Sequence, residues 1–145
     1  MEKQKKMLSK ALQKRILSLD NKKQRKESGL FVAEGGKTVI DLLAAGLKAD
    51  KLIATVAWLE EHHIEPGIEV IEVSNDEMKR ISFQQTPQGV MGIFRQPRHQ
   101  ADFSLPESEL CLALDNVQDP GNMGAIMRTA LAFGYENIVI STVVQ

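Results

Sequence analysis

Leu8, Leu12, Ile16 and Leu19 recur at helical spacing near the start of the chain, with Lys10, Lys14 and Arg15 on the other faces, which predicts an amphipathic helix. The stretch 20–29 is too polar to bury and closes on a turn residue, Gly29. A short apolar run over 30–33 predicts a buried strand, which passes through Glu34-Gly35-Gly36 into a second helix. Val39, Ile40, Leu42, Leu43 and Leu47 supply that helix's apolar positions, and Gly46 its stop. A strand over 51–54 and a short helix over 56–62 follow, with Trp58 expected to pack against this part of the chain. Acidic and aliphatic residues alternate over 69–73, the period of a strand. Ser74 with Glu77 three residues on is the capping-box pattern and predicts a helix over 75–81. Pro87-Gln88-Gly89 makes a turn, and 90–94 a further strand. Strands alternating with helices imply an α/β sandwich with some parallel pairing.

From Gln96 the pattern stops, with Pro97 and Pro106 among scattered polar residues, so 96–109 is read as a linker between domains at 1–95 and 110–145. After it come a continuous apolar strand over 110–114, a helix over 121–133 and a strand over 137–141. One β-α-β unit of this length hardly buries a sheet on both faces, because chains below about 40 residues seldom hold a core unaided. The second domain is therefore expected to be incomplete, the truncated start of a larger one.

Composition narrows the classes. The chain has 145 residues, of which 43% are hydrophobic and 26% charged, which excludes disordered, collagen-like and coiled-coil material. No apolar run approaches the roughly 18 residues of a membrane span, and the basic stretch 1–14 lacks a signal-peptide core, so cytoplasm is expected. One cysteine, Cys111, excludes an intramolecular disulfide, and with three histidines it leaves no zinc site. Cys111 is expected in the core, and the adjacent His62 and His63 on the surface. The net charge of −1 conceals an asymmetry. Residues 1–28 carry ten Lys/Arg against three acids, and the rest carries eight against sixteen. A basic arm on an acidic body is either a surface for a polyanion or a solvated helix end.

The stretch 114–134 carries the candidate chemistry. Asp119-Pro120-Gly121-Asn122 has Pro and Gly at the central places of a tight turn of type II. Met123, Ile126, Met127, Ala130 and Leu131 form one helical face, with Arg128 beside it and Gly134 at its end. A strand end, a loop and a helix start in this order form a usual ligand position in an open α/β sheet. Asn122 is open to a second reading as a helix N-cap, Arg128 as a solvated surface residue, and Gly121 and Gly124 as turn and packing residues. The Gly-x-Gly-x-x-Gly fingerprint of a dinucleotide site is absent.

Asp115-x-x-x-Asp119-Pro120-x-Asn122-x-Gly124-Ala125-x-x-Arg128-Thr129-Ala130-x-x-Phe133-Gly134 closely resembles the first motif of the SpoU (TrmH-like) RNA ribose 2'-O-methyltransferases of the SPOUT superfamily. Lys22-Lys23-x-Arg25, Phe31-Val-Ala-Glu34-Gly35 and Thr86-Pro87-Gln88-Gly89-Val90 are similar to the RNA substrate-binding domain of that family. The resemblance implies a ribosomal-protein-like α/β/α sandwich followed by the start of an α/β-knot methyltransferase domain. It further implies S-adenosylmethionine as cofactor, RNA as substrate (ribosomal ahead of transfer RNA) and a homodimer, with no metal and no membrane. Asn122 and Arg128 fall on the motif's polar catalytic positions. For RNA contact the candidates are Lys22, Lys23, Arg25 and Lys26, then Gly35, Gly36 and Lys37 at a helix start suited to phosphate, with Thr86 and Gln88 nearby. Gly35-Gly36 also reads as a plain strand-to-helix turn. The family's second and third motifs, which build the knot, have no counterpart, so the chain as given is expected to be inactive in methyl transfer and to bind the cofactor weakly. The alternative function is a non-catalytic RNA-binding module; a nucleotide-binding enzyme of another class would need a phosphate loop that is not there. With five Phe, one Trp and one Tyr, a base-stacking platform is not supported.

Overall fold

The computed structural model describes residues 7–98 and 110–141. The chain divides into two compact units, Met1–Pro97 and Arg98–Gln145. The linker expected over 96–109 lies mostly outside the described residues.

In the first unit, α1 (Lys10–Ser18) begins at Ser9, whose hydroxyl accepts from Leu12 N–H at 3.1 Å, and buries Ile16. The polar stretch that follows is a helix, α2 (Lys22–Ser28), although it buries nothing. Local bonds account for it. Asn21 caps the Lys23 amide at 2.8 Å, and Gly29 ends the helix in the left-handed conformation at φ 65°. The Arg25 guanidinium donates to the carbonyls of Leu19 at 2.9 Å and Asp20 at 2.5 Å, satisfying oxygens that the end of α1 leaves open. Then come β1 (Leu30–Glu34), α3 (Gly36–Ala44), β2 (Ala49–Thr55), α4 (Val56–Glu61), β3 (Val70–Val73), α5 (Asn75–Ile81) and β4 (Val90–Arg95). The capping box predicted for α5 forms in full: Ser74 accepts from Glu77 N–H, and the Glu77 carboxylate accepts from Ser74 N–H at 2.8 Å.

The sheet order is β1-β4-β2-β3. β4 lies antiparallel to both β1 and β2, whereas β2 and β3 are parallel, so β1, β2 and β3 all run one way. Alternation along each strand sends side chains to two cores. On one face Ile53, Ile71, Val73, Met91 and Ile93 pack with Ile16 of α1, with Leu19 just after it, and with Met78 and Ile81 of α5. On the other, Ala33, Leu52, Ala54, Val90 and Phe94 pack with Val39 of α3 and Trp58 of α4. The expected α/β/α sandwich is the one observed. At the sheet's edge Lys51 pairs with the Glu69 carboxylate.

The second unit comprises β5 (Cys111–Leu114), α6 (Pro120–Ala132) and β6 (Asn137–Ile140), with β5 and β6 parallel. Of the apolar face expected on its helix, Ala130 is buried, whereas Leu131 is 69% exposed. Cys111 is only half-buried, short of the core position expected for it.

Gly92 faces α3 and α4, and the Phe94 ring lies across it. An added Cβ would come within 2.3 Å of Phe94 Cε2, and the same ring stacks on Phe31 at 5.7 Å. Gly92→Ala should therefore destabilise the unit by about 1–3 kcal/mol, the usual cost of overpacking, despite alanine's better fit to a strand. A urea midpoint equal to or above that of the parent would show that the ring does not occupy this place. A second expectation concerns pH. The backbone bond from Ser74, and then its side chain, hold the Glu77 carboxyl below its usual 4.5. A carboxyl lowered in the folded state stabilises above its unfolded pKa, and that contribution fades as acid protonates the folded group. Glu77→Gln should make the loss of stability below pH 4.5 shallower; an unchanged acid limb in chemical denaturation would exclude this coupling.

Candidate functional site

Because β1, β2 and β3 run together and β4 runs against them, three strand ends and the start of β4 meet at one margin of the first unit. Glu34 closes β1, and its carboxylate accepts from Ser82 Oγ at 2.5 Å and from Phe83 N–H at 2.8 Å. These bonds tie the segment 82–89 to the start of α3. Gly35 takes φ 99° and donates its N–H to Val90 O at 3.1 Å. Its side-chain-free backbone leaves α3 without a side-chain cap. An added Cβ at Gly35 would lie 2.9 Å from Gln88 Oε1. Gly89, at φ 76°, accepts from Thr55 N–H at 2.8 Å, and an added Cβ there would press on Thr55 Oγ1 at 3.1 Å.

Trp58, at the start of α4, is 7% exposed and packs beneath this margin. Thr55 caps its backbone N–H at 3.4 Å. The His62 ring stacks on the indole at 4.2 Å between centroids and 6° between planes. His62 is therefore a half-buried packing residue, where the sequence reading had put it on the surface; His63 is exposed. Residues four apart are neighbours on a helix and a threonine before one is a ready cap, so both contacts have local signals in the sequence.

The structure brings together Gly35, Gly36, Lys37 and Gln88 and places Thr86, exposed, on the same returning segment. It does not bring the basic run to them. Lys22, Lys23 and Lys26 precede β1, whereas Gly35–Lys37 follow it, and a five-residue strand is about 13 Å long at ~3.3 Å per residue. Arg25 is set apart again, since its guanidinium is engaged with the end of α1.

In the second unit, the sequence Asp119-Pro120-Gly121-Asn122 is not a type II turn. Pro120 is the first residue of α6, and Gly121 is not among the glycines with positive φ. Proline's fixed φ suits a helix's first position, and its missing N–H costs nothing there. The cap is Asp119, whose Oδ2 accepts from Asn122 N–H at 2.6 Å, so Asn122 is not the N-cap. Gly134, at φ 82°, ends the helix as expected, with Tyr135 N–H bonded to Ala130 O at 3.0 Å. Ser141, which sequence reading did not single out, joins the two strand ends. Its Oγ donates to Asp115 Oδ1 at 2.5 Å and accepts from Asn116 N–H at 3.1 Å, and its N–H donates to Leu114 O at 2.9 Å. Asn116 takes φ 54° and its Oδ1 accepts from Gln118 at 3.0 Å. The loop before α6 is thus shaped by polar side chains.

Arg128 and Asn122 are both exposed. The Arg128 guanidinium folds back along α6 over Gly124, where an added Cβ would lie 3.2 Å from its Nη1. Among the described residues it forms no ion pair and no bond to Asn122. Among the described residues, too, no cluster of His, Cys, Asp or Glu could hold a metal ion, and no helix is long and apolar enough to cross a membrane. Asp119→Ala should destabilise the unit by about 1 kcal/mol and speed amide exchange at Asn122. Unchanged protection at that amide would show that the carboxylate is not the cap.

Comparison with known proteins follows the same division. Residues 12–92 match the MRM3-like substrate binding domain and residues 109–144 the SpoU rRNA methylase family. The chain is 33% identical over 128 residues to the human protein "rRNA methyltransferase 3, mitochondrial", covering 81% of this chain and 30% of that protein. It is 29% identical over 126 residues to the Bacillus subtilis 23S rRNA 2'-O-methyltransferase RlmP, covering 84% and 48%. It superimposes on a TrmH-family structure from Porphyromonas gingivalis with TM-score 0.82 and 36% identity, over 94% of this chain and 53% of the other. A similar match, TM-score 0.73 and 36% identity over 92% and 52%, is to an AdoMet-bound rRNA methyltransferase from Sinorhizobium meliloti. The chain spans about a third to a half of the length of the curated relatives it matches. With an MRM3-like substrate-binding domain over most of its first unit and the SpoU motif opening its second, the chain belongs to the SpoU (TrmH-like) RNA methyltransferase family.

Proposed function

We propose that the protein transfers a methyl group from S-adenosylmethionine to a ribose 2'-hydroxyl of ribosomal RNA, its first unit holding the RNA and its second supplying Arg128 and Asn122. The observation that carries this reading is the Arg128 side chain, exposed and without a charged partner among the described residues, lying over Gly124 of α6. A structural arginine engages a neighbouring group, as Arg25 engages the carbonyls of Leu19 and Asp20.

The described part of the second unit does not by itself fit the cofactor. Its loop 115–119 is largely exposed and its polar groups are engaged with one another, and Phe133 at the helix end is 80% exposed. These residues supply an open wall rather than an apolar slot for an adenosine. A ribose hydroxyl is a poor nucleophile until its proton begins to leave, and arginine, with a pKa above about 12, is a poor acceptor for that proton. Arg128 instead binds the adjacent phosphate through its planar fork and stabilises charge developing on the 2'-oxygen. Asn122, one and a half turns earlier on α6, offers its amide to the same sugar–phosphate; it does not steer the guanidinium directly.

RNA is held mainly through charge. Lys22, Lys23 and Lys26 lie exposed along α2, and Gly35, Gly36, Lys37, Thr86 and Gln88 at the opposite end of β1, so the RNA bridges two patches. Arg25 contributes by fixing α2 rather than by reaching out. The domain limits proposed are 1–95 and 110–145. A homodimer is supported by the bare apolar side chains Leu131, Phe133, Val139 and Ile140, and a cytoplasmic location by the bacterial relatives.

In the full-length protein, Arg128→Lys should lower kcat by about 100-fold or more, because lysine lacks the planar fork. Replacing Lys22, Lys23 and Lys26 by alanine should reduce the salt dependence of RNA affinity by about two to three counterions and spare kcat. Normal turnover by Arg128→Lys would remove the mechanism; RNA binding without methyl transfer by the parent would favour a non-catalytic module.

A further inference from the structure

The geometry points to a phosphate-binding pocket at the start of α3, in which the indole N–H of Trp58 joins the first-turn amides of Gly36, Lys37 and Thr38. It deepens the RNA reading above and rests on it for the source of the phosphate.

Two independent features meet there. The first is the helix start. α3 has nine residues, and its first three N–H groups have no partner within the helix. The N-cap is Gly35, which offers no side chain to occupy them, whereas Ser9, Asn21, Thr55, Ser74 and Asp119 all cap their helices. The second is Trp58. It is more than nine-tenths buried, yet its Nε1 has no hydrogen-bond partner among the described residues. The described residues contain no wholly enclosed side-chain nitrogen or oxygen lacking a partner, so this N–H opens to solvent. Indole nitrogens in such places ordinarily find an acceptor. The opening lies at α3: an added Cβ on Gly36 would sit 3.1 Å from Trp58 Nε1.

Glycine at 36 thus keeps one small approach clear between an indole donor and a row of backbone donors. A phosphate fits that set, since its oxygens accept from several N–H groups at once and the helix dipole favours negative charge. Lys37 is exposed on the same first turn, and the nearest carboxylate in sequence, Glu34, is already held by Ser82 and Phe83. The Thr55 cap holds the backbone that carries the ring, and the ring itself stacks on His62, so the donor is oriented before any ligand arrives. Gln88, beside Gly35, adds a polar rim. This pocket assigns Trp58 a binding role that its burial alone would conceal.

Trp58 is the only tryptophan in the chain, so one indole cross-peak in a 1H–15N spectrum reports on it. The test is titration of the full chain with inorganic phosphate and, separately, with a ribosomal RNA hairpin. Movement of the Trp58 indole signal together with the amides of Gly36, Lys37 and Thr38 in both titrations is the expected result. RNA that binds while these signals stay still would overturn the pocket and leave the RNA reading standing. Phosphate that moves them while RNA fails to bind would keep the pocket and remove its assignment to RNA. Signals that respond to neither ligand overturn it outright. Trp58→Phe, which retains most of the ring's packing but not the donor, should weaken phosphate binding about tenfold as read from the three amides. Gly36→Ala should do the same by filling the approach, and it leaves the indole as reporter. Wild-type affinity in either folded variant would count against the site.

Discussion

The central strand pairing of the first unit is the placement of β4 between β1 and β2. Val90–Arg95 bonds to both neighbours along its length and runs against both. Buried on two faces and paired on two edges, it carries Met91 and Ile93 into one core and Val90 and Phe94 into the other. The same insertion forces the segment before it to arrive at the margin where β1 and β2 end. Gly89 thereby reaches Thr55, Gln88 reaches Gly35, and Val90 accepts from the Gly35 amide. These three contacts of that margin depend on a strand that comes last in the unit's sequence.

That dependence explains why small residues gather there. Gly35 and Gly89 hold backbone angles that side chains resist, and Gly36 lies under the indole edge of Trp58. The margin is crowded by backbone and by one large ring, so its donors are backbone amides and an indole N–H. Such groups bind by position more than by charge. The lysines of α2 are exposed and lie at the other end of β1.

The second unit shows a related division on a smaller scale. Asp119 and Pro120 start α6, Ser141 joins the strand ends through Asp115 and Asn116, and the polar loop is set by these local bonds. Arg128 is left over Gly124, where the absence of a Cβ gives its guanidinium room to lie along the helix. Several apolar side chains of this unit remain exposed, among them Leu131 and Phe133, so its described core rests on little more than Leu114 and Ala130.

Local periodicity and capping chemistry were enough to read the order and type of almost every element, because a helix face or a capping box is settled within a few residues. The capping box at Ser74 and the apolar face of α1 formed as their spacing dictates. The family motif around α6 was likewise legible, since its residues are contiguous and their types are restrictive. One local reading was wrong where one sequence serves two structures: Asp-Pro-Gly-Asn suits a turn or a helix start, and the bonds of Asp119 chose the helix. The polar stretch 20–29 holds α2 between the Asn21 cap and Gly29, and Arg25 ties it to Leu19 and Asp20 just after α1. Tertiary structure alone decided the strand order, the split of the basic and glycine-bearing patches, the Phe94 ring over Gly92 and the approach of Trp58 to Gly36. Those are distances between segments far apart in the chain, and pairing of the sheet sets them; no spacing along the sequence encodes which strand will lie beside which.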